Sequence, residues 1–362
     1  MTAGTFRSAT PTTVRPPVAR APVALTAAAG AMAAGQTRPV RIVALGGGHG
    51  LAASLRALRR LRVRLGMPLD ITAVVTVGDD GGSSGRLRAE RGVVPPGDLR
   101  QALSALADVD DPVAGHTVQL MQHRFDGDDP LGGHAVGNLM LCGLMELAGD
   151  PVTALDHAAA MVRSCGRVLP MSREPVRIEA DVLGAKPERP DEVVLVRGQH
   201  AIAVTLGEVQ TVRLAPAGPG AGSVVGCTEA VAAINGADWL IFGPGSWYTS
   251  VIPHLLVPEF AAAISSSSAK RLVTLNLAVD TETSGLSLAD HLAALGRYLP
   301  GLRVDVVLAD SKAVGDPEPV HRAAESLGAR LLLAPVAVAD GTPRHDPAAL
   351  ADALEPLLGA AC

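Results

Sequence analysis

A short apolar run at residues 41–45, RIVAL, breaks into the nearly side-chain-free GGGHG. Leu51, Leu55 and Leu58 then recur on one helical face, with Arg56, Arg59 and Arg60 on the other. The next apolar run, ITAVVTV at 71–77, is continuous and rich in β-branched residues, as a parallel strand covered on both faces requires. Strand, glycine turn, helix and strand within about 35 residues make a βαβ unit, the opening of a doubly wound fold. Helical spacing is predicted over 99–107 and 138–147. From 165 to 215 the pattern alternates and is broken by turns, which predicts a small antiparallel insertion. Strands at 237–243, 270–279, 302–310 and 330–338 then alternate with helices at 287–299, 320–329 and 346–358. The expected architecture is Rossmann-like, a three-layer α/β/α fold with a mostly parallel sheet and a small β-rich insertion, built from residues 39–362.

Composition narrows this reading. Hydrophobic content of 48 % with 39 glycines and 27 prolines in 362 residues fits a loop-rich globular α/β chain. Residues 1–38 stand apart, with Ala, Pro and Thr dominant, four arginines and no acid; they read as a disordered arm, with Met32 a rival start. Aromatic residues make up 2 % of the chain, which argues against a base-stacking platform for single strands. A net charge of −5 and a pI near 6.1 give no overall basic footprint for nucleic acid. Cys142, Cys165, Cys227 and Cys362 show no metal or redox spacing and read as thiols of a reducing, cytoplasmic compartment. No apolar run reaches membrane-spanning length. Ten arginines precede the first acid, Asp70, which reads either as a solvated helix face or as a positive potential near an anion site.

The chemistry-bearing stretches are small-residue loops at strand-to-helix edges. Gly46, Gly47, Gly48, His49 and Gly50 leave backbone N–H groups and a helix N-terminus free for a phosphate. His49 is a candidate phosphate donor, with structural packing the competing reading. Ala53 occupies the last glycine position of G-x-G-x-x-G, so the standard dinucleotide fingerprint is imperfect and a nicotinamide oxidoreductase is disfavoured. In VTVGDDGGSSGRLR, Asp79 and Asp80 end the second strand, where an acid commonly takes ribose hydroxyls or a divalent ion such as Mg²⁺; no metal or cofactor is required by the pattern. Gly81, Gly82, Ser83 and Ser84 would supply donors around them. Asp98 in PPGDLRQAL reads mainly as a helix-start residue, though Asp98 and Arg100 can face the same cleft. Asn138 in GHAVGNL, and Gly243, Gly245 and Ser246 in GPGSWYTS, repeat the arrangement at later edges. Arg344 precedes Asp346, an expected N-cap with Pro347 at the first helical position, and is a candidate clamp for a diphosphate. No P-loop, nucleophile elbow or zinc spacing occurs.

In order along the chain, GGGHGL, VTVGDDGGSSGRLR, PPGDLRQAL, GHAVGNL, GPGSWYTSVIPHLL and RHD resemble the YvcK family of the wider YvcK/CofD-like group. The resemblance implies a cytoplasmic Rossmann-like regulator that binds a UDP-sugar, notably UDP-N-acetylglucosamine. It implies a role in growth on gluconeogenic carbon sources, peptidoglycan synthesis and cell shape. The implied partners are cell-wall or central-metabolism enzymes, with a homodimer as the expected assembly. The resemblance places the ligand on Gly46 to Gly50, the Asp79–Ser84 loop, Asn138, Gly243 to Ser246 and Arg344. The chain departs from the family at His49, where many members carry Thr, and at Leu286, which stands where an aromatic ring is available for stacking. The competing function is that of the CofD proteins, transferases of a phospho-group or nucleotidyl group, with Mg²⁺ held by Asp79 or Asp80.

Overall fold

A computed structural model describes residues 38–218, 222–278 and 280–359; the arm predicted over 1–38 and the rival start at Met32 lie outside the described residues, apart from Arg38. The order begins β1 (Val40–Gly46), α1 (Gly48–Arg64), β2 (Leu69–Val75), α2 (Gly82–Arg91), α3 (Pro96–Leu106), α4 (Pro112–Gln122), α5 (Val136–Ala148), α6 (Pro151–Met161) and β3 (Arg167–Pro170). It continues with β4 (Val176–Leu183), β5 (Val193–Arg197), α7 (Gln199–Ala203), β6 (Glu208–Pro216), α8 (Thr228–Gly236) and β7 (Trp239–Phe242). A π-helical turn (Trp247–Val251) leads into α9 (Ile252–Leu256), followed by α10 (Pro258–Ser266), β8 (Lys270–Thr274), α11 (Leu288–Tyr298), β9 (Val306–Asp310), α12 (Glu318–Ser326), β10 (Arg330–Ala334) and α13 (Pro347–Gly359).

Seven strands form one parallel sheet in the order β10-β9-β8-β7-β1-β2-β3. Every residue of β7 and β9 is buried, so helices cover both faces there. Helix α1 shows why the pattern at its start was informative: Leu51, Leu55, Leu58 and Leu61 are all fully buried, against α3 and α13. Each such leucine contributes about 1.5–3 kcal/mol by leaving water. The chain leaves β1 toward β2 on one side and resumes at β7 on the other. The switch in strand order therefore lies between β1 and β7, where a crevice opens beyond the carboxyl ends.

The second sheet, β5-β4-β6, is antiparallel. Strand β4 alternates buried and half-buried residues, the mark of a sheet with one covered face. This sheet is smaller than the span predicted at 165–215, because β3 pairs with β2 in the main sheet and the three strands begin only at Val176. The run HAIAV, expected to be extended, instead starts with the short helix α7. A second difference is at GGSSGR, expected to be a loop: α2 begins at Gly82. Its first turn buries Ser83 and Ser84, whose hydroxyls are satisfied within the protein rather than competing for the backbone.

Candidate functional site

A cleft of about 600 Å³ lies at the β1/β7 switch, a volume within the usual range for a small-molecule site. Its floor is the β1–α1 turn. Helix α1 starts without a side-chain cap, and Gly48 adopts φ +59°, a left-handed conformation suited to glycine. Gly50 is required for a different reason: a Cβ there would fall 2.2 Å from the Pro244 carbonyl oxygen, so the β1 and β7 loops touch through it. The N-terminus of this 17-residue helix, whose N-cap Gly47 offers no side chain, carries partial positive charge at the cleft.

The opposite wall is the β7 loop. Ser54 donates its hydroxyl to the Gly243 carbonyl at 3.0 Å, fixing the loop from below. Asn276, just past β8, holds Gly245 from both sides, accepting from its N–H and donating to its carbonyl, each at 3.0 Å. The Ser246 hydroxyl donates to Asp280, whose carboxyl is nevertheless raised above the usual range by burial. Glu282 then accepts from Tyr248 N–H and from the Thr249 hydroxyl, both at 2.9 Å, anchoring the π-helical turn. Burial pushes Glu282 up to about 7 despite those bonds.

The third wall is the loop between β10 and α13. Asp310 accepts from the N–H groups of Lys312, Ala313, Val336 and Ala337 at 2.8–3.0 Å, which ties the loop's root to the end of β9. Arg344, carried at the tip, pairs with exposed Asp340 at 2.6 Å. Asp346 caps α13 as expected, accepting from Ala348 N–H at 2.8 Å.

Charge at the cleft is mixed, with Arg56 and Arg344 in the lining beside Asp98 and Asp280. The cations Arg56, Arg100 and Arg344 all act on His49, whose ring is held below its usual pKa first by burial and then by these charges. Buried beneath the turn lies Asp98, in the first turn of α3, accepting from Gly48 N–H. Burial, and then the nearby Asp79 charge, push its carboxyl up to about 7, against the opposing pull of that N–H and of Arg100.

The predicted residues divide into two groups. Gly47, Gly48, His49, Gly50, Gly245, Ser246 and Arg344 line the cleft; Gly46 and Gly243 stand behind the lining at the ends of β1 and β7. Asp79, Asp80, Gly81, Gly82, Ser83, Ser84 and Asn138 are not in the lining. Asp79 accepts from Gly81 N–H at 3.0 Å in a tight turn, and Asp80 accepts from His200 N–H at 2.9 Å in the insertion. Ser83 bonds the His134 ring at 2.9 Å and accepts from Asn138 at 3.0 Å, while Ser84 accepts from Gly97 N–H at 3.0 Å. Asn138 in turn accepts from Arg100 Nε at 2.8 Å, so this network orients the arginine beside Asp98. Leu286 packs against the core and is likewise outside the lining.

Asn276, Asp280, Arg56 and Gln199 line the cleft without having been singled out as site residues. The one signal at Asn276 was a polar residue within the apolar run predicted as the strand at 270–279. Gln199 carried none, since its insertion is placed over the cleft only by tertiary structure.

A parallel seven-stranded sheet with a glycine turn, a helix N-terminus and two arginines in a cleft at its switch point defines a Rossmann-like α/β protein. The family model of 2-phospho-L-lactate transferase CofD matches residues 42–329. A protein of Mycobacterium tuberculosis named "Putative gluconeogenesis factor" is 49 % identical over 318 residues, 87 % of this chain and 89 % of the relative. The "Gluconeogenesis factor" of Bacillus subtilis is 35 % identical over 291 residues, 80 % of this chain and 84 % of the relative. A crystal structure of a UPF0052-family protein from Bacillus halodurans superposes with a TM-score of 0.75 at 30 % identity, covering 88 % of this chain and 99 % of the other. The chain belongs to the CofD-like family, among the gluconeogenesis factors of the YvcK/UPF0052 group.

Proposed function

We propose that this chain is a regulatory protein whose switch-point cleft binds a UDP-sugar of the UDP-N-acetylglucosamine type, and that occupancy reports carbon status to the enzymes of cell-wall synthesis. The observation that carries the reading is the joint arrangement at His49. The start of α1, Arg56 and Arg344 surround one apolar-rimmed cavity, which suits a diphosphate with uncharged groups on either side. Leu277, Ala278, Val338, Pro343 and Pro347 supply the rim. A diphosphate there would sit on the N–H groups of His49 and Gly50, Gly48 N–H being held by Asp98, with Arg344 closing over it. Binding transmits a signal only if the ligand favours one arrangement of the walls, and the β10–α13 loop carrying Arg344 is the most exposed of the three. Calorimetric titration with UDP-N-acetylglucosamine, UDP-glucose, GDP and NAD tests the reading. Selective micromolar binding of a UDP-sugar supports it, and preference for GDP or NAD overturns it.

One observation favours a second reading, a CofD-like Mg²⁺-dependent transferase. Asp98 and Asp79 are close enough for the charge of one to raise the other beside the proposed phosphate site. Among the described residues no group of three or more His, Cys, Asp or Glu is arranged to hold a metal. These two carboxylates and the ligand's phosphates would therefore have to share a Mg²⁺, a common way for that ion to be held. Asp80 is already committed to His200 N–H. Such an ion would neutralise phosphate charge, while the arginines and helix start orient the ligand. Recovery of the UDP-sugar unchanged after prolonged incubation with Mg²⁺ decides for the regulator.

A further inference from the structure

We propose that Gln199, delivered by the insertion, reads the sugar of the bound nucleotide sugar, an assignment that rests on the UDP-sugar reading above. Gln199 opens α7 and lines the cleft together with Asp98. Its amide oxygen Oε1 is buried and has no hydrogen-bond partner. A buried amide acceptor without a donor is costly, and native proteins rarely keep one unless something else supplies the donor. It lies against Gly78, where a Cβ would come 3.5 Å from Oε1. A rotation of the side chain brings the amide toward a ligand that offers an O–H or N–H, and no hydrogen bond to Oε1 opposes that rotation.

The backbone around it is held firmly, as a recognition residue requires. Gly198 donates its N–H to the Ile178 carbonyl at 2.8 Å, and His200 donates its N–H to Asp80 Oδ1 at 2.9 Å. The second aspartate of the GDDGG stretch thus fastens the insertion to the main-sheet loop and presents Gln199 over the cleft. The side chain is neutral, with both donors and an acceptor, so it suits sugar hydroxyls or an acetamido group, while the arginines suit the phosphates. A nucleoside diphosphate without sugar satisfies the arginines and leaves the amide unpaired. The insertion therefore distinguishes a loaded from an unloaded nucleotide.

Titration of the full chain and of Gln199→Ala with UDP-N-acetylglucosamine and with UDP tests this, together with melting of both proteins without ligand. Loss of neutral hydrogen bonds predicts UDP-N-acetylglucosamine binding weakened about threefold to tenfold, UDP binding unchanged, and no lowering of the unliganded melting temperature. Equal weakening of both ligands with a lowered melting temperature marks a merely structural glutamine and overturns the assignment. Unchanged UDP-sugar binding in Gln199→Ala overturns it too, while leaving the UDP-sugar reading intact. Absence of UDP-sugar binding in the unaltered protein overturns both.

Discussion

Asp98→Asn is the most informative single change. Burial and the Asp79 charge move the Asp98 carboxyl from 3.8 to about 7, so the folded protein holds its proton more tightly than the unfolded chain does. The stabilisation from the protonated form is complete below about pH 4 and is lost as pH rises through about 7. A shift of about three units corresponds to an upper value of about 4 kcal/mol lost by pH 8, at 1.36 kcal/mol per unit. Asparagine keeps the shape and an acceptor for Gly48 N–H and carries no charge at any pH. With an unfolding entropy of roughly 0.7 kcal/mol/K for a folded body of this length, 4 kcal/mol corresponds to about 6 °C in Tm. Structural relaxation reduces such values, and a gain of about 3 °C for the variant at pH 8 is the working expectation. The assay is Tm of both proteins by calorimetry from pH 4 to 8, with the gap smallest at pH 4, widening as pH rises to about 7 and constant above that. Parallel curves, or a variant less stable at pH 8, refute the view that Asp98 is a strained buried acid. The same pair separates the two functions: a regulator binds UDP-sugar at least as tightly after the change, whereas a Mg²⁺-dependent transferase loses its metal-dependent binding.

Arg344→Ala should weaken UDP-N-acetylglucosamine about tenfold to a hundredfold in calorimetry, the loss of a charge-assisted contact, with Tm almost unmoved because its pair with Asp340 is exposed. Gly50→Ala should destabilise the fold by about 1–3 kcal/mol in urea unfolding and abolish binding, since its Cβ would meet the Pro244 carbonyl at 2.2 Å. A stable variant that still binds would show that the β1 and β7 loops separate without cost. Glu282→Gln should be close to neutral at pH 5 and stabilising at pH 8. Glu282 is another buried acid raised to about 7, so its protonated form stabilises at low pH and that contribution is lost as pH rises. A Tm difference independent of pH would contradict this.

How far the sequence foretold the site depends on the kind of cause acting at each residue. Gly48, Gly50 and His49 were legible because a strand-to-helix turn dictates local chemistry: small residues, free N–H groups, a charge at the helix start. The doubly wound sheet was legible for the same reason, since β-branched runs and leucine spacing are local patterns. Asp79, Asp80, Ser83, Ser84 and Asn138 look identical to ligand-binding residues in one dimension, because a loop that wraps a ligand and a helix start that wraps its neighbours need the same small polar side chains. In the fold, Ser83 and Asn138 meet across helices 55 residues apart in sequence, and Asp80 reaches 120 residues on to His200. The cleft residues that went unread, Asn276 and Gln199, share that origin. Each is ordinary in its own segment and acquires a role only where separate segments converge, Asn276 on Gly245 and Gln199 beside Asp98. The GDDGG stretch thereby bears on the cleft at one remove. Asp79 raises the acid beneath the β1–α1 turn, and Asp80 fixes the insertion that carries an unsatisfied amide.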